Sequence, residues 1–169
     1  AAVTIAANNV TLEGFEINGA GIAAVWLNTG VTGAEVRANK ITSASGVTAV
    51  TTQGQQSNNT FRNNEFVGVG SSQIVYVNGT PSLGAPEASD NVDFFLNTFM
   101  GTILPGGIAM GNEATNANFE SNIVASTISS TYAHLEFWND DAVVDRNNFN
   151  GASTETKVRN SDTGPLDAD

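Results

Sequence analysis

The sequence predicts an all-β parallel solenoid, and three observations carry that prediction. A short motif returns at a near-constant spacing of 25 residues. Residues taken at the same spacing elsewhere fall into apolar columns that alternate with mixed ones. No stretch shows a helical period.

The motif is an apolar residue, two variable residues, Asn, one variable residue and a second apolar residue. It reads Val36-Arg37-Ala38-Asn39-Lys40-Ile41 and returns as Phe61…Asn64…Phe66, Phe94…Asn97…Phe99, Phe119…Asn122…Val124 and Val144…Asn147…Phe149. An earlier copy, Leu12…Phe15…Ile17, carries Phe in place of Asn. The Asn positions are 25, 33, 25 and 25 apart, so one coil holds an insertion of eight, placed at 79–90 (GTPSLGAPEASD). Asn39, Asn64, Asn97, Asn122 and Asn147 are therefore expected to stack as an internal amide ladder at a bend. Asn tolerates the left-handed conformation that sharp bends require, which adds a backbone reason for its choice.

The second column test starts at Val25. It gives Val25, Val50, Val75, Ile108, Ala133 and Val158, all apolar. Two residues on, Leu27, Thr52, Val77, Met110, Leu135 and Asn160 are mostly apolar. Between them, Trp26, Thr51, Tyr76, Ala109, His134 and Arg159 are mixed. Period two means strands, with the first two columns inward and the third outward. The expected architecture is about six turns of ~25 residues, stacked at strand spacing around a continuous core. Residues 1–160 make one domain, and 161–169 read as an acidic tail.

Composition agrees. Among 169 residues there are 21 Asn and 17 Gly, and only 14% are charged. That favours short strands and turns over helices. Acids outnumber bases 17 to 6, for a net charge of −11, so nucleic acid is excluded as a natural partner. There is no cysteine, hence no disulfide and no thiolate metal site. No apolar run approaches the ~18 residues that cross a bilayer, and membrane insertion is not expected. Acidity with little Lys and much Asn, Thr and Gly points to an extracellular or cell-surface protein. Ala1 opens no signal peptide, the pattern of a mature or trimmed chain.

The repeats, the opening Val10–Ile17 (VTLEGFEI) and the ending Val158–Asp169 (VRNSDTGPLDAD) resemble right-handed parallel β-helix proteins of the pectin-lyase-like superfamily. The resemblance covers roughly residues 3 to 160. It implies the fold, but not one activity, since that superfamily holds lyases, hydrolases, epimerases, adhesins and structural solenoids. Related sequences often continue with an aromatic-rich turn after such an ending, so the resemblance also implies a segment of a longer chain. It directs attention to basic residues beside acid-bound calcium, as in the lyases, and to stacked acids followed by Gly-His-Gly and a basic triplet, as in the hydrolases.

Neither set is assembled in this sequence. Glu13, Arg37 and Arg62 share one outward column, and Glu16, Lys40 and Glu65 share another, which reads as surface charge ladders. Asn139-Asp140-Asp141 has the look of paired acids, but the single His134 precedes it and lacks the glycines. Glu120 and Asp145 stack in one column, where two carboxylates repel unless a cation or water intervenes. Calcium is the one metal they suggest, yet two carboxylates fall short of its six to eight oxygens. No cofactor is expected. The outward column Trp26, Thr51, Tyr76, His134 and Arg159 is the candidate binding row, because aromatic faces stack on sugar C–H groups while polar neighbours bond hydroxyls. The sequence thus leads to a non-catalytic structural or adhesive segment of a surface or matrix protein that contacts polysaccharide. A polysaccharide lyase or glycoside hydrolase fragment is the alternative. No end cap is legible, so further parts of a longer chain, or other copies stacked end to end, are expected partners; the latter would build a filament.

Overall fold

The computed structural model describes residues 1–19, 21–52, 54–71, 74–77, 90–103, 108–110, 116–127, 133–137, 142–150, 156–160 and 164–166. Among them the chain forms strands and no helix, so no helix is long and apolar enough to cross a membrane. The strands are β1 (Val3–Ile5), β2 (Thr11–Glu13), β3 (Glu16–Asn18), β4 (Ala23–Leu27), β5 (Glu35–Arg37), β6 (Lys40–Thr42), β7 (Thr48–Thr52), β8 (Ser57–Arg62), β9 (Glu65–Ser71) and β10 (Val75–Val77). They continue as β11 (Asp90–Phe95), β12 (Thr98–Ile103), β13 (Ile108–Met110), β14 (Asn118–Glu120), β15 (Ile123–Thr127), β16 (Ala133–Phe137), β17 (Val143–Asp145), β18 (Asn148–Phe149), β19 (Thr156–Asn160) and β20 (Gly164–Leu166).

Every third strand is a neighbour, and this makes the fold a parallel β-solenoid. The first sheet runs β1-β4-β7-β10-β13-β16-β19-β20, the second β2-β5-β8-β11-β14-β17 and the third β3-β6-β9-β12-β15-β18. All these pairings are parallel except β19–β20. The predicted insertion at 79–90 lies outside the described residues except for Asp90, which already opens β11. Of the acidic tail 161–169 only Gly164–Leu166 is described, and it folds back antiparallel on β19, pairing Val158 with Leu166 and Asn160 with Gly164. Pro165, which has no N–H, lies opposite Arg159, so the reversed strand is a poor template for further parallel pairing.

The core fills the space between the sheets. Val36, Phe61, Phe94 and Phe119 stack in one inward column, and Ile41, Phe66, Phe99 and Val124 in another, all essentially without exposure. Rung spacing sets the ring geometry: Phe61 and Phe94 stack at 4.8 Å with 8° between planes, Phe66 and Phe99 at 4.9 Å with 14°. Such pairs contribute about 1 kcal/mol each beyond their buried area. Val25, Leu27, Val50, Val75 and Val77 supply the first sheet's share. Thr52 enters the same layer fully buried, and its hydroxyl has no hydrogen-bond partner among the described residues.

The amide ladder is present and its bonding is regular. Asn64 Oδ1 accepts from the backbone N–H of Asn39 at 3.0 Å and from its Nδ2 at 3.2 Å. Asn97, Asn122 and Asn147 repeat this on Asn64, Asn97 and Asn122. Each Nδ2 also donates to the carbonyl of the inward residue one coil earlier: Leu12, Val36, Phe61, Phe94 and Phe119 in turn. Phe15, where the first motif lacks Asn, only donates its N–H to Asn39 Oδ1.

The left-handed conformation belongs to the residue before the ladder Asn, not to the Asn itself. Gly14, Ala38, Asn63, Leu96, Ser121 and Arg146 all have φ between 52° and 79°. The ladder Asn instead turns its amide into the buried stack. Leu96 is 60% exposed and held at φ 55°. A left-handed non-glycine costs about 1 kcal/mol, and Asn bears it best. Leu96→Asn is expected to stabilise the fold by about 0.5–1 kcal/mol, read as a higher urea midpoint at unchanged slope.

A second left-handed column lies at the start of the second sheet's strands, just before or within their first residues. It holds Asn9, Gly33, Asn58, Asn91 and Asn116, spaced 24, 25, 33 and 25. Here Asn does serve the backbone, and its amides bond outside: Asn91 Nδ2 to Asn58 Oδ1 at 2.8 Å, and Asn116 Nδ2 to Asp90 Oδ1 at 2.8 Å. Beside it, buried Asn59 receives Ala34 N–H and donates to Val31 O and Gln56 Oε1, pinning the chain around 28–34 to the next coil.

Candidate functional site

The candidate row lies on the outer face of the first sheet. In β4, β7 and β10 the residues Val25, Val50 and Val75 turn inward, so Trp26, Thr51 and Tyr76 turn outward between buried neighbours. Parallel pairing sets Trp26 opposite Thr51 and Thr51 opposite Tyr76. The row begins at Thr4, paired to Trp26, and continues through Ala109, Glu136 and Arg159. Trp26 and Tyr76 are half-buried, while Thr51 between them keeps 8% of its surface. The Thr51 hydroxyl lies 2.5 Å from that of Thr48, and one of the two is the donor.

His134 does not join this row, contrary to the sequence reading. Ile108 pairs with Leu135 rather than Ala133, and Ala109 pairs with Glu136. The register slips by two residues and returns at Val158, which pairs with Leu135. A slip of two keeps the inward and outward alternation intact, so the columns gave no warning. His134 takes the position before the inward residue, as Ala24, Ala49 and Ile74 do, and like them it is fully buried. Its ring centroid is 6.3 Å from that of Phe149. Glu136 holds the register place assigned to histidine.

The charged groups pair with one another on the outer faces of the other two sheets. Arg37 bonds Glu13 at 2.8 Å and Glu35 at 3.1 Å. Arg62 also pairs with Glu35, and Lys40 stands 3.3 Å from Glu65. Its hydrogen bond with Glu13, above all, lifts the Arg37 guanidinium above its ordinary pKa, with Glu35 adding to the effect. The stacked carboxylates Glu120 and Asp145 have a cation between them: Arg146, at the left-handed bend, pairs with both. Exposed pairs of this kind add little stability, at most about 1 kcal/mol. Among the described residues no three His, Cys, Asp or Glu side chains gather as a metal site would require. Asn139, Asp140 and Asp141 lie outside the described residues.

Asp93 is a partly buried acid of the second sheet. Burial pushes its carboxyl above the usual aspartate range, against the hydrogen bond from Asn118 Nδ2 at 2.6 Å. A raised folded-state value means that the neutral acid suits the fold. Its favourable contribution is complete below the unfolded aspartate range and is lost as pH rises through the folded value. Asp93→Asn keeps an acceptor for Asn118 without charge. Its midpoint is expected to exceed wild type by a small margin at pH 7, and the gap should close as pH falls below about 4. Paired thermal melts across that range would measure it.

At the first-coil edge, Val3, Leu12, Phe15 and Ile17 line an open apolar hollow of about 340 Å³. Phe15 is 57% exposed there. The chain matches no protein-family model, no curated protein and no solved structure.

Proposed function

We propose that this chain is a non-catalytic β-helix segment of an extracellular surface or matrix protein, related to the pectin-lyase-like superfamily, and that it holds polysaccharide against the outer face of its first sheet. The observation that carries the reading is the outward row Trp26, Thr51 and Tyr76 on consecutive rungs. A rigid sheet presents two aromatic side chains with hydroxyls between them. That composition suits sugars, whose rings offer C–H groups for stacking and hydroxyls for hydrogen bonds. The ion-paired ladders support the non-catalytic half. Arg37, Arg62, Lys40 and Arg146 are each engaged by carboxylates in ion pairs.

The test is a panel of soluble and insoluble polysaccharides, assayed for retention of the protein and for release of reducing or unsaturated ends. Retention without product, abolished by Trp26→Ala, is expected. Product release by the purified chain would replace this reading with the enzymatic one, and absence of retention across the panel would remove the polysaccharide contact.

A further inference from the structure

We infer that the outer row selects an extended, uncharged, 1,4-β-linked glycan of gluco-configured units, lying along the solenoid axis. The inference rests on the polysaccharide reading above and adds the class and direction of the ligand. Trp26 and Tyr76 face outward from rungs that are not adjacent, with the Thr51 rung between them. Their spacing along the axis is therefore two strand separations, roughly 10 Å. That is the length of two sugar units in a flat 1,4-β-linked chain, where alternate units present the same face. Units one and three of a trisaccharide meet Trp26 and Tyr76. Unit two lies over Thr51, beside the hydroxyl pair of Thr48 and Thr51.

Three further features narrow the class. Gluco-configured units, whose ring substituents are all equatorial, offer C–H bonds on both faces, so every unit of the chain can stack on an aromatic ring. An α-1,4-linked glucan curves away from a straight row, whereas the 1,4-β-linked chain runs along it. The chain carries a net charge of −11, which repels uronates and sulfated polymers. Rows on a solenoid stay in line from rung to rung, so the platform is rigid before the ligand arrives and loses little freedom on binding.

Titration with cellobiose, cellotriose and cellohexaose, beside polygalacturonate and starch-derived maltohexaose, tests this. Cellotriose should bind roughly tenfold tighter than cellobiose, because only three units reach both rings. Cellohexaose should match or exceed cellotriose, and Trp26→Ala and Tyr76→Ala should each remove roughly that tenfold gain. Thermal melts establish that both variants fold. If either does not, Trp26→Leu and Tyr76→Leu, which keep apolar cover but no ring, take its place. Equal affinity for cellobiose and cellotriose, or preference for maltohexaose or polygalacturonate lost on Trp26→Ala, would overturn the ligand class and leave the polysaccharide reading standing. No binding to any of the five would end both.

Discussion

Asn97→Leu is expected to lower the unfolding free energy by about 4 kcal/mol, a large share of what a domain of this size possesses. Leucine fits the volume but removes four hydrogen bonds at once. Asn97 Oδ1 accepts from Asn64 N and Nδ2 at 3.0 and 3.1 Å, and Asn97 Nδ2 donates to Phe61 O and Asn122 Oδ1 at 2.9 and 3.0 Å. The backbone N–H of Asn64 would remain buried with no partner, an orphan that costs about 1–3 kcal/mol on top of the other lost bonds. Asn147→Leu, at the half-buried end of the ladder, should cost less, since water reaches its neighbours. Urea unfolding of the two variants measures the difference. An Asn97→Leu protein as stable as wild type would show that the amides contribute nothing net.

Gly101→Ala should be nearly as damaging, at about 3 kcal/mol or more. Gly101 sits across from Gly68 in the β9–β12 pair, with φ at 122°. A Cβ there would overlap the Gly68 carbonyl oxygen and lie 2.8 Å from Gly68 N. Both atoms are backbone, held by the ladder, and cannot swing aside as a side chain would. The register of this pair shifts just beyond, between Thr102 and Ile103. Gly14 is the control. It also has positive φ, but a Cβ there meets nothing within 4 Å, so Gly14→Asn should be nearly neutral. Comparing melting midpoints of the two variants separates steric overlap from backbone strain. Equal midpoints would mean that β9 and β12 have room to part.

The parts of the fold that were legible in the sequence are those where one side chain has one geometric task. The ladder Asn follows its inward apolar residue by three because its Nδ2 must return to the carbonyl below that residue, as Asn97 does to Phe61. That fixed offset survives the insertion and reads directly from the letters. The second left-handed column carried the same signal, since Asn58, Asn91 and Asn116 repeat the 33 and 25 spacings. It was missed because Asn59, adjacent to Asn58, has a different task in the core. The register of the outward row was legible through Ala109 and lost at His134, where a two-residue slip leaves the alternation unchanged. Nor does alternation reveal that Ala24, Ala49 and Ile74 are buried beside inward valines. Small residues gave that hint at two rungs, and the larger Ile74 obscured it.

The ladder has a direction, and a ribosome also has one. Every Oδ1 in it points to the coil made earlier, accepting that coil's Asn N–H and amide, while Nδ2 reaches back to an earlier carbonyl. A nascent chain emerging from its N-terminus therefore lays each new coil onto a finished one and fills the donors that the last coil left open. At any stage of synthesis the unmet amide donors belong to a single rung, and the next Asn to emerge, 25 or 33 residues on, closes them. Growth in the opposite sense would have to offer acceptors to donors not yet made.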